Sequence, residues 1–255
     1  MGRIQYQLKK RLYRLKAYRR KGFGVHSPFT FHLIANVIEA KLQYYAFAQL
    51  FPYRKIVVKA LKSKIKDADF DKSLVKRYKE EVQNLESSES VDRLIFRLMN
   101  FWNPKTPAYF GDGIGFTMSY MAKVDSRINV SCLGRGELFS EYSDDLFKNY
   151  LGIQNYKSLN YSDIHKINQV FDFLVFSENT SAEILSDFIQ NNERLLTKNY
   201  MLIIQNPHKN ESIKLFWNEL KKVEGITVSL DLFHMGILIS RDGMQKQNYV
   251  RKYRF

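Results

Sequence analysis

Apolar positions change their spacing near residue 106. Before it they recur every three or four residues. Ile4, Leu8, Leu12 and Leu15 form one such row, with Tyr6, Tyr13 and Tyr18 interleaved. Phe31, Leu33, Ile34, Val37 and Ile38 form another. One face of an α-helix has this period. The spacing predicts helices over 3–20, over a segment opened by Ser27-Pro28, and over 47–65, 73–86 and 91–102. Proline suits a first helical turn, because its missing N–H has no helical partner there. The polar stretch NLESSES at 84–90 predicts a loop between the last two. After residue 106 short apolar runs alternate with helical stretches. The runs are 107–110, 128–133, 156–160, 171–176, 200–204, 226–233 and 236–239; the helices are 116–124, 137–150, 181–195 and 211–223. Such alternation predicts an α/β fold with a doubly wound, mostly parallel sheet. Only His234 and Met235 separate the last two runs. No crossover helix fits there, so those strands are expected to pair antiparallel. The expected division is a helical, basic N-terminal extension over 1–103 and an α/β domain over 104–255.

The first strand of that domain runs into three glycines at alternate positions, Gly111, Gly113 and Gly115, and a helix follows. Glycine allows positive φ and lets other atoms approach the main chain closely. A helix start offers unpaired N–H groups and a partial positive charge. Two readings compete: the glycines serve close packing between strand and helix, or they cradle a nucleotide-like ligand with an anionic group. The Gly-x-Gly-x-Gly spacing differs from the Gly-x-Gly-x-x-Gly of dinucleotide sites.

Composition narrows the partners. At 45% hydrophobic residues over 255 positions the chain can bury a sizeable core. A single cysteine, Cys132, excludes an internal disulfide or a thiolate metal cluster and reads as a buried small hydrophobe. No apolar run is long enough to span a bilayer, and the basic start lacks a signal-peptide core. The expected place is the cytoplasm, including peripheral attachment at the inner membrane face. The net charge is +14, and it is clustered. Arg3, Lys9, Lys10, Arg11, Arg14, Lys16, Arg19, Arg20 and Lys21 precede the first acid, Glu39; Arg251, Lys252 and Arg254 close the chain. Residues 3–21 therefore read as a basic amphipathic helix for an anionic surface, RNA or phospholipid. The alternatives are a solvated face and packing on the chain's own domain.

Three further segments carry a resemblance. They are Gly24-Val25-His26-Ser27-Pro28-Phe29, the glycine turn, and the ending VSLDLF, GILIS and a basic-aromatic tail. With them the chain resembles class I S-adenosylmethionine-dependent methyltransferases, and more narrowly a bacterial group whose helical N-terminal part carries the GVHSPF signature. The resemblance implies a Rossmann-like methyltransferase sheet of seven strands, the last antiparallel, with S-adenosylmethionine as cofactor and an unspecified methyl acceptor. It implies Gly111, Asp112, Gly113 and Gly115 for the methionine part of the cofactor and Asp163 for the adenine; for the ribose, Glu137 lies close to the expected place, at an unusual position, and is the substitute candidate.

The chain also departs from that pattern. The acid that family members carry two places before the first glycine is Tyr109 here, and the ribose acid at the end of the second strand is replaced by Gly134-Arg135. Related O-methyltransferases hold a divalent cation in loops after the fourth and fifth strands. Here those loops read Ser177-Glu178-Asn179-Thr180 and Gln205-Asn206-Pro207-His208. Hard cations want carboxylates, so no metal is expected. Glu178 and His208 are the titratable candidates for catalysis. His208 is either a general base near neutral pH or a loop residue capping the next helix. His26 is expected to be structural, and Trp102 and Trp217 to lie in the core. Two functions follow: a methyltransferase with altered cofactor contacts, or a catalytically silent fold that binds an anionic partner. A hollow plugged by the side chains of Tyr109, Phe110 or Arg135 would rule out the first.

Overall fold

The alternation after residue 106 builds one sheet. The computed structural model describes residues 3–17, 24–67, 72–111, 113–133, 149–159 and 168–253. The strands are β1 (Pro107–Phe110), β2 (Val130–Leu133), β3 (Tyr156–Leu159), β4 (Phe171–Phe176), β5 (Leu196–Gln205), β6 (Val228–Asp231), β7 (Met235–Ser240) and β8 (Gln247–Val250). Their order is β3-β2-β1-β4-β5-β7-β6-β8. β1 to β5 run parallel, and β7 is antiparallel to both β5 and β6. The expected seven strands are present. The basic-aromatic tail adds an eighth, parallel to β6.

Side chains alternate between the two faces of a strand. Phe110, Phe176, Leu202 and Ile204 face one side, beneath α6 (Ala182–Leu195) and α7 (Glu211–Leu220). There Phe110 stacks on Phe176 at 4.6 Å, and Phe188 and Phe216 meet Phe176 edge-on. Trp217 is buried on this face, as expected; Trp102 is only partly buried, against Phe29. Tyr109, Cys132, Val175 and Ile203 face the other side, where the N-terminal helices pack.

The helices of the first half are α1 (Arg3–Lys16), α2 (Pro28–His32), α3 (Tyr45–Asp67) and α4 (Lys72–Trp102), and α5 (Phe116–Ala122) follows the glycine turn; α3, α4 and α5 pack on this face, and α1 contacts the strand ends. Ser27 caps α2, accepting from the Thr30 N–H, and Pro28 takes its first position. α2 continues into a π-helical turn, Leu33–Ile38, whose Val37 and Ile38 carbonyls accept from the Arg97 guanidinium. His26 is exposed, and the turn is held by the Ser27 cap instead.

The loop expected at 84–90 does not form. α4 runs unbroken through it. Its serines satisfy themselves without breaking the helix: Ser87 Oγ donates to the Gln83 carbonyl at 2.8 Å, on the exposed side. On the inner side Leu85 is buried, and Arg54 of α3 donates to the Leu85 carbonyl and to Ser88 Oγ. Arg54 also pairs with Asp92, both buried. Asp92 accepts from Thr117 Oγ1 of α5 at 2.6 Å, and Thr117 Oγ1 accepts from Gln205 Nε2 at 3.2 Å. One polar chain thus ties α3, α4 and α5 to the end of β5. No helix among the described residues is long and apolar enough to cross a membrane.

Candidate functional site

The carboxyl ends of the parallel strands form a rim, the usual ligand position in open α/β sheets. At β1 the rim is tightly bonded. The Phe110 carbonyl accepts from the Ser177 N–H at 2.7 Å and from Thr180 Oγ1 at 2.9 Å. The Gly111 N–H donates to the Leu133 carbonyl at 3.1 Å. A Cβ on Gly111 would lie 2.4 Å from Ser177 Cβ and 2.7 Å from Tyr109 Oη. Only glycine fits this contact. The Tyr109 ring is buried, and its hydroxyl occupies the corner beside Gly111. Burial raises its pKa far above the usual phenol value, so it stays protonated. Phe110 points to the opposite face. Arg135 lies outside the described residues.

Gly113 and Gly115 have different reasons. Gly115 has φ 97° and starts α5, a left-handed conformation that glycine adopts without strain. Gly113 faces a carboxylate. Glu81 of α4 accepts from the Ile114 N–H at 3.0 Å, and its Oε1 lies 3.3 Å from where a Gly113 Cβ would be. Glu81 is 7% exposed. Burial pushes its pKa up, the Ile114 N–H opposes that shift, and the charge of Glu178 adds to it.

Sequence reasoning missed Glu81, although a signal exists. Tyr78, Glu81, Val82 and Leu85 follow the helical i, i+3, i+4, i+7 pattern, so the acid interrupts an apolar stripe. Asp112, Glu137 and Asp163 lie outside the described residues.

The candidates Glu178 and His208 occupy the rim farther along, after β4 and β5. Glu178 is engaged by Lys209 Nζ and by Asn206 Nδ2. His208 Nε2 meets Asp231 Oδ2 at 2.8 Å, with the ring against Phe233 at 5.3 Å. His208 does not cap the next helix. Asn210 does, accepting from the Ile213 N–H at 2.9 Å. α1 lies over this part of the rim. Tyr6 Oη is within 3.5 Å of Asn206 Oδ1 and 3.3 Å of His234 Nδ1. Tyr13 Oη donates to the Asp231 and Arg251 carbonyls, and its ring packs on Phe233 at 5.0 Å. The structure therefore makes one polar band of Glu178, Lys209, Asn206, His234, His208 and Asp231, roofed by two tyrosines. Among the described residues no three His, Cys, Asp or Glu side chains converge as a metal site.

No protein-family model matches the chain, and no curated protein does. Solved structures do. A SAH-bound methyltransferase of Podospora anserina superposes with TM-score 0.51 at 13% identity, over 80% of this chain and 99% of that one. An O-methyltransferase of Bacillus cereus in complex with SAH gives 0.51 at 9% identity, over 79% and 92%. An O-methyltransferase of Streptomyces achromogenes in complex with SAM gives 0.50 at 11%, over 61% and 81%. Strand order, the antiparallel β7 and these superpositions agree: the chain has the Rossmann-like methyltransferase fold.

Proposed function

We propose that the chain binds S-adenosylmethionine at the glycine turn and transfers its methyl group to an acceptor, with Glu81 replacing the carboxylate that β1 lacks. The observation that carries this reading is the Glu81 carboxylate, delivered by α4 onto the Ile114 amide and facing Gly113. Glu81 would face the positively charged methionine end of the cofactor, where an anion is favourable. Asp112, Glu137 and Asp163 are assigned to the same ligand by resemblance. The bound cofactor supplies an electrophilic methyl group, and transfer depends chiefly on alignment of the acceptor. If His208 donates Nε2–H to Asp231, its Nδ1 is the atom that takes a proton from the acceptor.

A second reading has its own observation. The Tyr109 hydroxyl stands beside Gly111, and the Ile114 N–H already has an acceptor. A cradle satisfied from within suits a silent fold that binds an anionic partner. Calorimetric titration with S-adenosylmethionine and S-adenosylhomocysteine separates the two. Binding that weakens by about ten- to a hundredfold in Glu81→Gln supports the first, the loss expected for one charge-assisted hydrogen bond of about 1.5–3 kcal/mol. No heat and no thermal shift at millimolar ligand leaves only the second.

A further inference from the structure

α1 is seated with its polar-aromatic side inward. At about 100° per residue, Leu8, Leu12 and Leu15 fall within an arc of about 60°, and Tyr6 and Tyr13 lie about 140–160° from Leu8 on the other side. The tyrosines make the contacts to the strand ends. The leucines therefore face out, 57%, 53% and 83% exposed. Arg11, beside them on the helix, is also exposed. The bond from Tyr13 to the Arg251 carbonyl brings the chain after β8 beside α1, and Lys252 is exposed there while the Arg251 side chain is buried. No acidic residue occurs before Glu39.

We infer that this face of α1 inserts into the surface of an anionic phospholipid bilayer. A solvated basic helix needs no leucine row, and a helix that tracks a nucleic acid gains nothing from one. Bases stack on aromatic rings, and here Tyr6 and Tyr13 are turned inward and bonded. A row of leucines flanked by cations matches the boundary between acyl chains and anionic headgroups. In the folded chain the tyrosine bonds already hold the helix in place, so little ordering is required on contact.

The test is flotation of the full chain with phosphatidylcholine vesicles, with and without phosphatidylglycerol. Co-flotation is expected only with the anionic vesicles. Replacing Leu8, Leu12 and Leu15 together by Ser is expected to lower partitioning by about tenfold or more, with the thermal midpoint retained because these side chains are exposed. A second variant, Leu15→Cys, carries an environment-sensitive fluorophore; Cys132 is buried, so the label goes to residue 15. Its emission should shift to the blue on anionic vesicles. Absence of co-flotation, equal partitioning of the triple variant, or unchanged emission overturns the inference. So does an RNA oligonucleotide that binds the wild type and the triple variant equally and displaces both from vesicles; that result would make the basic face a nucleic-acid surface.

Discussion

The two faces of the sheet are built from different materials. Beneath α6 and α7 the packing is nearly all aromatic and aliphatic: Phe110, Phe176, Phe188, Phe216 and Trp217. Beneath α3, α4 and α5 apolar side chains share the space with a buried ion pair, Arg54–Asp92, and a buried acid, Glu81. Apolar burial is insensitive to small changes of ligand or pH. Buried charge is costly unless every member is bonded. The first face holds the sheet together, and the second holds the glycine turn in position.

The contrast is broken most severely by single truncations that should look alike and differ in rescue. Phe188→Ala and Asp92→Ala are each expected to destabilise by about 3–5 kcal/mol, the first by a cavity and the second by a stranded guanidinium. Urea titration measures both. Replacing Arg54 and Asp92 together by Met and Leu should recover most of the second loss. If it does not, the pair contributes more than mutual neutralisation. Gly111→Ala comes next. Its methyl meets Ser177 Cβ and Tyr109 Oη, and overpacking of this kind costs about 1–3 kcal/mol. Pairing it with Ser177→Gly should restore part of the thermal midpoint.

Glu81→Gln sharpens the comparison further, because stability and binding should move in opposite directions. Burial raises the folded pKa of Glu81 above its ordinary value of 4.5. The folded chain then holds this proton more tightly than the unfolded chain. Stability attached to the group is present below pH 4.5 and declines as pH rises through the folded pKa. The amide has no such titration. The variant should therefore melt higher than wild type at neutral pH, and the gap should close in acid. A variant that melts lower at neutral pH would place Glu81 in a stabilising role. The smallest effect is expected at Tyr13→Phe. It removes the one O–H that the Asp231 and Arg251 carbonyls share, about 0.5–1.5 kcal/mol, and should be read as faster hydrogen exchange in α1 with the rest of the sheet unchanged.

The sheet was largely legible in the sequence, because both faces of the central strands are covered and they read as nearly continuous apolar runs such as PAYF and, but for Asp172, FDFLVF. The unbroken α4 was not. Counting polar residues over 84–90 hides that Leu85 is buried among them and that Arg54 bonds both its carbonyl and Ser88 on the inner side. β8 was hidden for a different reason: it is a four-residue edge strand whose half-buried positions are Gln247 and Tyr249, so its inner face carries one apolar side chain. In the site, the glycine turn was evident. Its filling was not, because Glu81 arrives from a helix that ends before the turn begins. The orientation of α1 inverted the usual rule. Strand ends leave carbonyls that need donors, and tyrosine hydroxyls supply them where leucine cannot.

The bond between Tyr13 and the Arg251 carbonyl spans 238 positions. Synthesis proceeds from the N-terminus, so α1, made before the sheet, lacks this anchor until residue 251 has been added. During translation its leucines and cations are accessible before the seat exists. Any attachment this helix makes to a surface can therefore precede completion of the sheet, and the nascent chain would then fold already tethered.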